Sequence, residues 1–126
     1  MTNLNVFVSG AGDTFFAFGN GADATVVVNG KEVKATKVGS VDAAKEKHVP
    51  VVEISGQTVT VKVGSVTHPM TPEHHIAWIA LRTEKGFQFK EIPVDGAPEA
   101  VFSLVEGDKV VEAYEYCNLH GVWSGK

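Results

Sequence analysis

Apolar and polar positions alternate along much of this chain. From Gln57 to Val63, three valines (Val59, Val61, Val63) fall on one side and Thr58, Thr60 and Lys62 on the other. That period of two is the mark of a half-buried strand. Phe87 and Phe89 alternate with Gln88 and Lys90 in the same way. Runs rich in β-branched and aromatic residues predict further strands at 26–28, 32–38, 50–54, 76–82, 100–104 and 109–116. Turn pairs separate them: Asn29-Gly30, Ser55-Gly56, Lys85-Gly86, Asp95-Gly96 and Glu106-Gly107-Asp108. No window sustains a helical period, and residues 41–47, with Asp42-Ala43-Ala44-Lys45, predict at most one helical turn.

Short strands at regular spacing, each with one polar face, predict an all-β protein built on an antiparallel sandwich. Residues 39–126 are enough for one sandwich. Residues 1–38 are Gly-rich and read as a small separate module, below the roughly 40 residues at which a core stands alone without staples. Phe7, Phe15, Phe16 and Phe18 would supply its apolar surface.

Composition narrows the function. The chain has 126 residues, 44% hydrophobic and 21% charged, an ordinary globular balance. A net charge of −4 makes nucleic acid or an anionic membrane a poor partner. No apolar stretch approaches the roughly 20 residues of a membrane span. The start, Met1-Thr2-Asn3-Leu4-Asn5-Val6, lacks a basic segment followed by an apolar run, so no export signal is expected. One cysteine cannot make an intrachain disulfide, and a lone thiol suits a reducing cytoplasm.

That thiol carries the chemistry. Cys117-Asn118-Leu119-His120 places an imidazole three residues from a thiol. Four more histidines lie in two other predicted loops: His48 ahead of the strand that begins near residue 50, then His68, His74 and His75 ahead of the strand at 76. Loops gather at the ends of a sandwich, so three loops can meet around one ion. Pro50, Pro69 and Pro72 stiffen them, Pro69 biases His68 toward extended backbone, and Gly121 allows a bend after His120. Of the adjacent pair, His74 and His75, only one can face the ion if the backbone runs on as a strand. His74 is the choice because the strand follows directly. Taken singly, Cys117 reads as an inert core cysteine and each histidine as a surface or turn residue. Together they predict a mononuclear metal site. Imidazole and thiolate suit zinc, copper and iron alike. Structural zinc favours four ligands with more cysteine, and blue copper favours an axial methionine, which does not follow His120. Four histidines and one cysteine leave one position open and suit a redox iron. The alternatives are a cupredoxin-like electron carrier and a zinc-stabilised interaction module.

At these residues the chain resembles the superoxide reductase family of neelaredoxin and desulfoferrodoxin. The matching stretches are Glu46-Lys47-His48-Val49-Pro50, Val63-Gly64-Ser65-Val66-Thr67-His68-Pro69-Met70, Glu73-His74, and Tyr116-Cys117-Asn118-Leu119-His120-Gly121. The resemblance covers roughly residues 40–126 and implies an immunoglobulin-like β-sandwich. It implies one non-haem iron per chain, with His48, His68, His74 and His120 equatorial and Cys117 axial. It also implies one-electron reduction of superoxide to hydrogen peroxide. Lys47 resembles the lysine that attracts the anion, and Glu46 the carboxylate that fills the sixth position of the resting ferric site. A small donor such as rubredoxin and a homodimer are implied partners. Many relatives bind a second iron in an N-terminal module through four cysteines. Here the positions resembling Cys-x-x-Cys-Gly and Cys-Cys-Gly hold Phe15, Phe18, Val28 and Asn29, so that centre cannot form. The chain thus resembles the one-iron group that keeps the module without its metal.

Overall fold

A computed structural model describes residues 2–20, 23–39 and 43–126. It divides into two compact units, Met1–Lys37 and Val38–Lys126.

The first unit is two hairpins. β1 (Asn3–Val8) pairs with β2 (Thr14–Gly19), and β3 (Thr25–Val28) with β4 (Lys31–Lys34), both antiparallel. The second hairpin turns through Asn29 and Gly30, both at positive φ (50° and 79°), the backbone that a two-residue Asn-Gly turn requires. A bond from the Thr36 N–H to the Val6 carbonyl (2.7 Å) ties the two hairpins together. Phe7 is fully buried and Phe16 half-buried, but Phe15 and Phe18 are exposed. β4 stops at Lys34, short of the strand expected to run to residue 38.

The second unit is the sandwich. One sheet holds three strands in the order β5 (Pro50–Ser55), β6 (Thr58–Val63), β9 (Glu99–Ser103). The other holds four, in the order β11 (Gly121–Gly125), β10 (Val110–Cys117), β7 (Ile76–Thr83), β8 (Phe87–Glu91), and every neighbouring pair is antiparallel. The inner faces meet as the alternation predicts. Val59, Val61, Val63, Ala100 and Phe102 from one sheet pack with Ile79, Leu81, Ala113 and Cys117 from the other. At about 25 cal/mol per Å² of apolar surface, this burial is the main force holding the two sheets face to face. The open edge of β9 is covered by side chains of β8: the Gln88 amide donates to the Ser103 carbonyl (2.9 Å) and the Lys90 ammonium to that of Val101.

Among the described residues α-helix is confined to α1 (Lys45–His48), a single turn. Val41 and Asp42, where the expected turn begins, lie outside them. β1, β2 and β11 were not predicted as strands. Asn3–Val8 does alternate, with Leu4, Val6 and Val8 against Asn3 and Asn5, but its Gly-rich surroundings masked the pattern. In β11 the adjacent Val122 and Trp123 are both buried, so no alternation is visible.

Candidate metal centre

Three segments converge at one end of the sandwich. α1 carries His48 immediately before β5. The connection from β6 to β7 carries His68, His74 and His75. The hairpin between β10 and β11 carries Cys117 and His120. In that hairpin Cys117 pairs with Gly121, leaving residues 118–120 as a three-residue loop closed by Gly121 at φ 79°. The Cys-x-x-His spacing is therefore the spacing of a tight β-turn. A bulge between β10 and β7 at Tyr116/Cys117 sets Ile76, not Ala77, opposite Cys117, whose side chain is completely buried.

The four imidazoles of His48, His68, His74 and His120 form a closed square. Neighbouring rings meet edge-on, with centroids 4.8 Å apart for His48–His68, 4.6 Å for His68–His74, 5.1 Å for His74–His120 and 4.8 Å for His120–His48. Across the square, His48 and His74 are 6.3 Å apart and closer to parallel, at 28°. One donor atom each from His48, His74, Cys117 and His120 lies within 4.8 Å of every other. His68 joins them with Nε2 at 3.3 Å from Nε2 of His48. His75 turns away, its Nδ1 3.0 Å from the Thr71 carbonyl.

Backbone carbonyls decide what those nitrogens can do. His48 Nδ1 is 2.7 Å from the Ala44 oxygen, and His68 Nδ1 is 2.7 Å from the Pro69 oxygen. A carbonyl only accepts, so each Nδ1 must carry the proton and each neutral ring presents a lone pair at Nε2. Those two lone pairs face each other at 3.3 Å. His120 Nδ1 sits 3.0 Å from the same His48 Nε2 and 3.8 Å from Cys117 Sγ. His74 Nε2 is buried with no hydrogen-bond partner among the described residues. A proton on His120 Nδ1 can serve only one of these acceptors, and the lone pairs that remain beside a thiol repel one another unless a cation lies between them. The donor set fits a metal ion.

Electrostatics point the same way. Burial, opposed by the bond to Pro69 and reinforced by the neighbouring imidazoles, lowers the His68 pKa to about 4. Burial and the rings of His120 and His48 lower that of His74, to which Lys47 adds a small push. Protons therefore compete poorly with a metal for these two nitrogens. Burial raises the Cys117 thiol, while backbone N–H groups of Leu119 and His120 draw it down. Glu115, two residues away on the same inward face, is wholly buried; both its oxygens lack partners among the described residues, and burial pushes its pKa up to about 9. It is an uncharged acid at neutral pH.

Lys47 and Glu46 lie exposed on α1 beside the cluster. Their backbone is held from below. The Glu46 carbonyl accepts from the Val66 N–H (2.9 Å) and the Ser65 hydroxyl (3.3 Å). Gly64 lies so close that a Cβ there would meet the Glu46 oxygen at 2.7 Å and the Val49 oxygen at 3.0 Å. Trp123 supports the other side. Its ring lies 5.2 Å from that of His48, and its Nε1–H donates to the His120 carbonyl at 3.1 Å. Glu115, Gly64 and Trp123 were not singled out from the sequence. Only Trp123, three residues past His120, offered a positional hint.

Comparison with known proteins places the chain in a family. The family profile described as Desulfoferrodoxin matches residues 40–126. The chain belongs to the desulfoferrodoxin family. Over 124 residues it is 41% identical to the desulfoferrodoxin of Clostridium acetobutylicum, covering 96% of this chain and 94% of that one. Over 107 residues it is 45% identical to that of Desulfarculus baarsii, covering 85% and 83%. The crystal structure of the superoxide reductase from Treponema pallidum is 56% identical, covers 98% of this chain and 99% of its own, and superposes with a TM-score of 0.92. The family's β-sandwich is the fold described above.

Two measurements probe the centre. Gly64→Ala should force α1 away from its place, costing about 1–3 kcal/mol of stability as overpacking does and weakening metal binding at His48. Thermal unfolding together with a metal titration checks both effects, and wild-type affinity in this variant would show that the contact does not position His48. The second is a pH series on the metal-free protein. An unfolded chain protonates His68 near pH 6.5, the folded one only near pH 4, so the unfolded state binds more protons in between. Stability should therefore fall as pH drops from 6.5 toward 4, by up to about 3 kcal/mol from this group, with His74 adding in the same direction. Urea unfolding at half-unit pH steps reads the slope.

Proposed function

We propose that this protein is a superoxide reductase that reduces superoxide by one electron to hydrogen peroxide at a single iron. The facing Nε2 lone pairs of His48 and His68, with His74, His120 and Cys117 converging beside them, carry this reading. Those four histidines and the Cys117 thiolate would hold the ion. When bound, iron supplies the single electron, and the thiolate makes it strongly donating. The balance is one superoxide, one electron and two protons giving one hydrogen peroxide.

The chain's own groups do the rest. The exposed Lys47 ammonium presents a positive charge to the incoming anion, within reach of His74. That local charge matters because the chain as a whole, at −4, repels superoxide weakly. Glu46, its neighbour on α1, would supply a carboxylate to the iron in the resting state. Met70 does not act as a ligand in this reading: its sulfur accepts the Ile76 N–H at 3.3 Å and it packs against the core, which removes the axial thioether that a cupredoxin-like centre would use. Each turnover consumes an electron, so a small one-electron carrier such as a rubredoxin is the donor proposed. A homodimer in a reducing cytoplasm completes the proposal. Residues 1–38 would serve as a module without metal, and 39–126 as the iron-binding sandwich.

The ferrous protein, loaded anaerobically, should consume one superoxide per iron and become coloured on oxidation through thiolate-to-iron charge transfer. Cys117→Ser should bind iron without that band, and a serine variant that kept the colour would remove Cys117 from the ligand set. In stopped-flow or pulse-radiolysis experiments, Lys47→Ala should lower the second-order rate by about two- to tenfold. The lower figure corresponds to about 0.5 kcal/mol for a unit charge at about 8 Å in water, the upper to a field focused by low-dielectric walls. The effect should shrink as salt rises. A rate unchanged at low salt would take Lys47 out of substrate capture.

A further inference from the structure

Asn118 lies between Cys117 and His120 in the three-residue loop, and its side chain does not serve that loop. An asparagine in a turn ordinarily bonds its own backbone two residues on. Here both ends of the amide cross to the other ligand segment. Oδ1 accepts the His75 N–H at 2.8 Å, and Nδ2 donates to the Glu73 carbonyl at 2.9 Å. The Asn118 backbone N–H adds a third bond to the His75 carbonyl at 3.2 Å. The two backbone groups that the side chain grips flank His74. Because an N–H only donates and a carbonyl only accepts, the amide orientation is fixed. Aspartate has no donor for Glu73, and serine is too short to span both groups.

We propose that Asn118 is a positioning residue of the metal centre. It locks the segment carrying His74 to the turn carrying Cys117 and His120, so that three of the donor atoms are held at one spacing before any ion arrives. The need for such a lock follows from the topology. β10 and β7 pair through a bulge at their site end, where the register shifts at Cys117, and regular pairing ends there. Beyond that point residues 73–75 would be tied to the turn by one backbone bond alone. Groups that orient metal ligands in this way typically change affinity 10- to 100-fold when removed.

The inference rests on the metal-centre reading above, and Co(II) separates the two. The wild-type protein titrated with Co(II) should show a thiolate-to-metal charge-transfer band. Asn118→Ala and the milder Asn118→Ser should bind Co(II) 10- to 100-fold more weakly, with the band shifted. Val59→Ala, a cavity at the opposite end of β6, supplies a control whose melting temperature falls while its Co(II) affinity and band stay at wild type. Wild-type affinity and band in the Asn118 variants would overturn the positioning role. So would an affinity loss in Val59→Ala that tracks its loss of stability, because the Asn118 effect would then be global. Absence of the thiolate band in the wild type would overturn the metal-centre reading itself, and the role of Asn118 with it.

Discussion

Two hydrogen bonds to backbone carbonyls govern the rest of this structure. His48 gives its Nδ1 proton to Ala44 and His68 to Pro69. Without those bonds each ring could present an N–H to the other, and the cluster would be an ordinary chain of histidine hydrogen bonds. With them, both Nε2 atoms are acceptors at 3.3 Å, and a single Nδ1 proton on His120, 3.0 Å from His48, can serve only one of them. Leaving a buried polar group unmade costs about 1–3 kcal/mol, and such an arrangement persists only if the surrounding fold enforces it. Ala44 and Pro69 belong to the segments that carry the rings, so the same backbone path that delivers each imidazole also fixes its tautomer.

The sandwich is what makes that path rigid. At the site end, the strands leave no room for slack. A Cβ on Gly125 would strike the Pro50 carbonyl, and one on Gly64 would strike that of Glu46. β11 is thereby seated against the start of β5, and the end of β6 against α1. His48 sits between these two close approaches, only two residues before Pro50, with Trp123 against its ring. A one-turn helix of four residues has almost no stability of its own. It holds its shape here because the backbone at Gly64 presses on it, while Gly125 of β11 presses on Val49 and Pro50 just beyond its end.

This division explains how much could be read from sequence. The strands of the sandwich were legible because one face is buried and one is wet, which writes alternation into Val59, Val61 and Val63. β11 was not, because Val122, opposite Tyr116 on one face, and Trp123, opposite Glu115 on the other, are both buried, so both faces are apolar. The candidate ligands stood out as a set: one thiol, five imidazoles, three loops. Their resemblance to a known family then named the ligand set that spacing left open between His74 and His75. What holds the ligands was not legible. Gly64 reads as a turn glycine, Asn118 as a turn asparagine and Glu115 as a surface residue on an alternating strand. Each acquires its role from a contact with a segment 15 to 45 residues away or from total burial, and local pattern carries neither.

The metal-free fold is consequently a tense one. It buries facing imidazole lone pairs, a His74 Nε2 without a hydrogen-bond partner and a carboxyl with neither oxygen satisfied among the described residues. Desolvation lowers the proton affinity of His68 and His74, so protons relieve that repulsion only in acid. A divalent cation relieves it at neutral pH. Any ion that binds the folded state and not the unfolded chain stabilises it by mass action, and here the gain includes the repulsion removed. The arrangement that makes the site receptive to a metal is thus the same one through which a bound ion would stabilise the fold. The neutral Glu115 fits this balance: an ionised carboxylate beside Cys117 would oppose the thiolate that the metal needs, whereas a protonated acid in an apolar interior leaves the thiolate as the negative charge of the site.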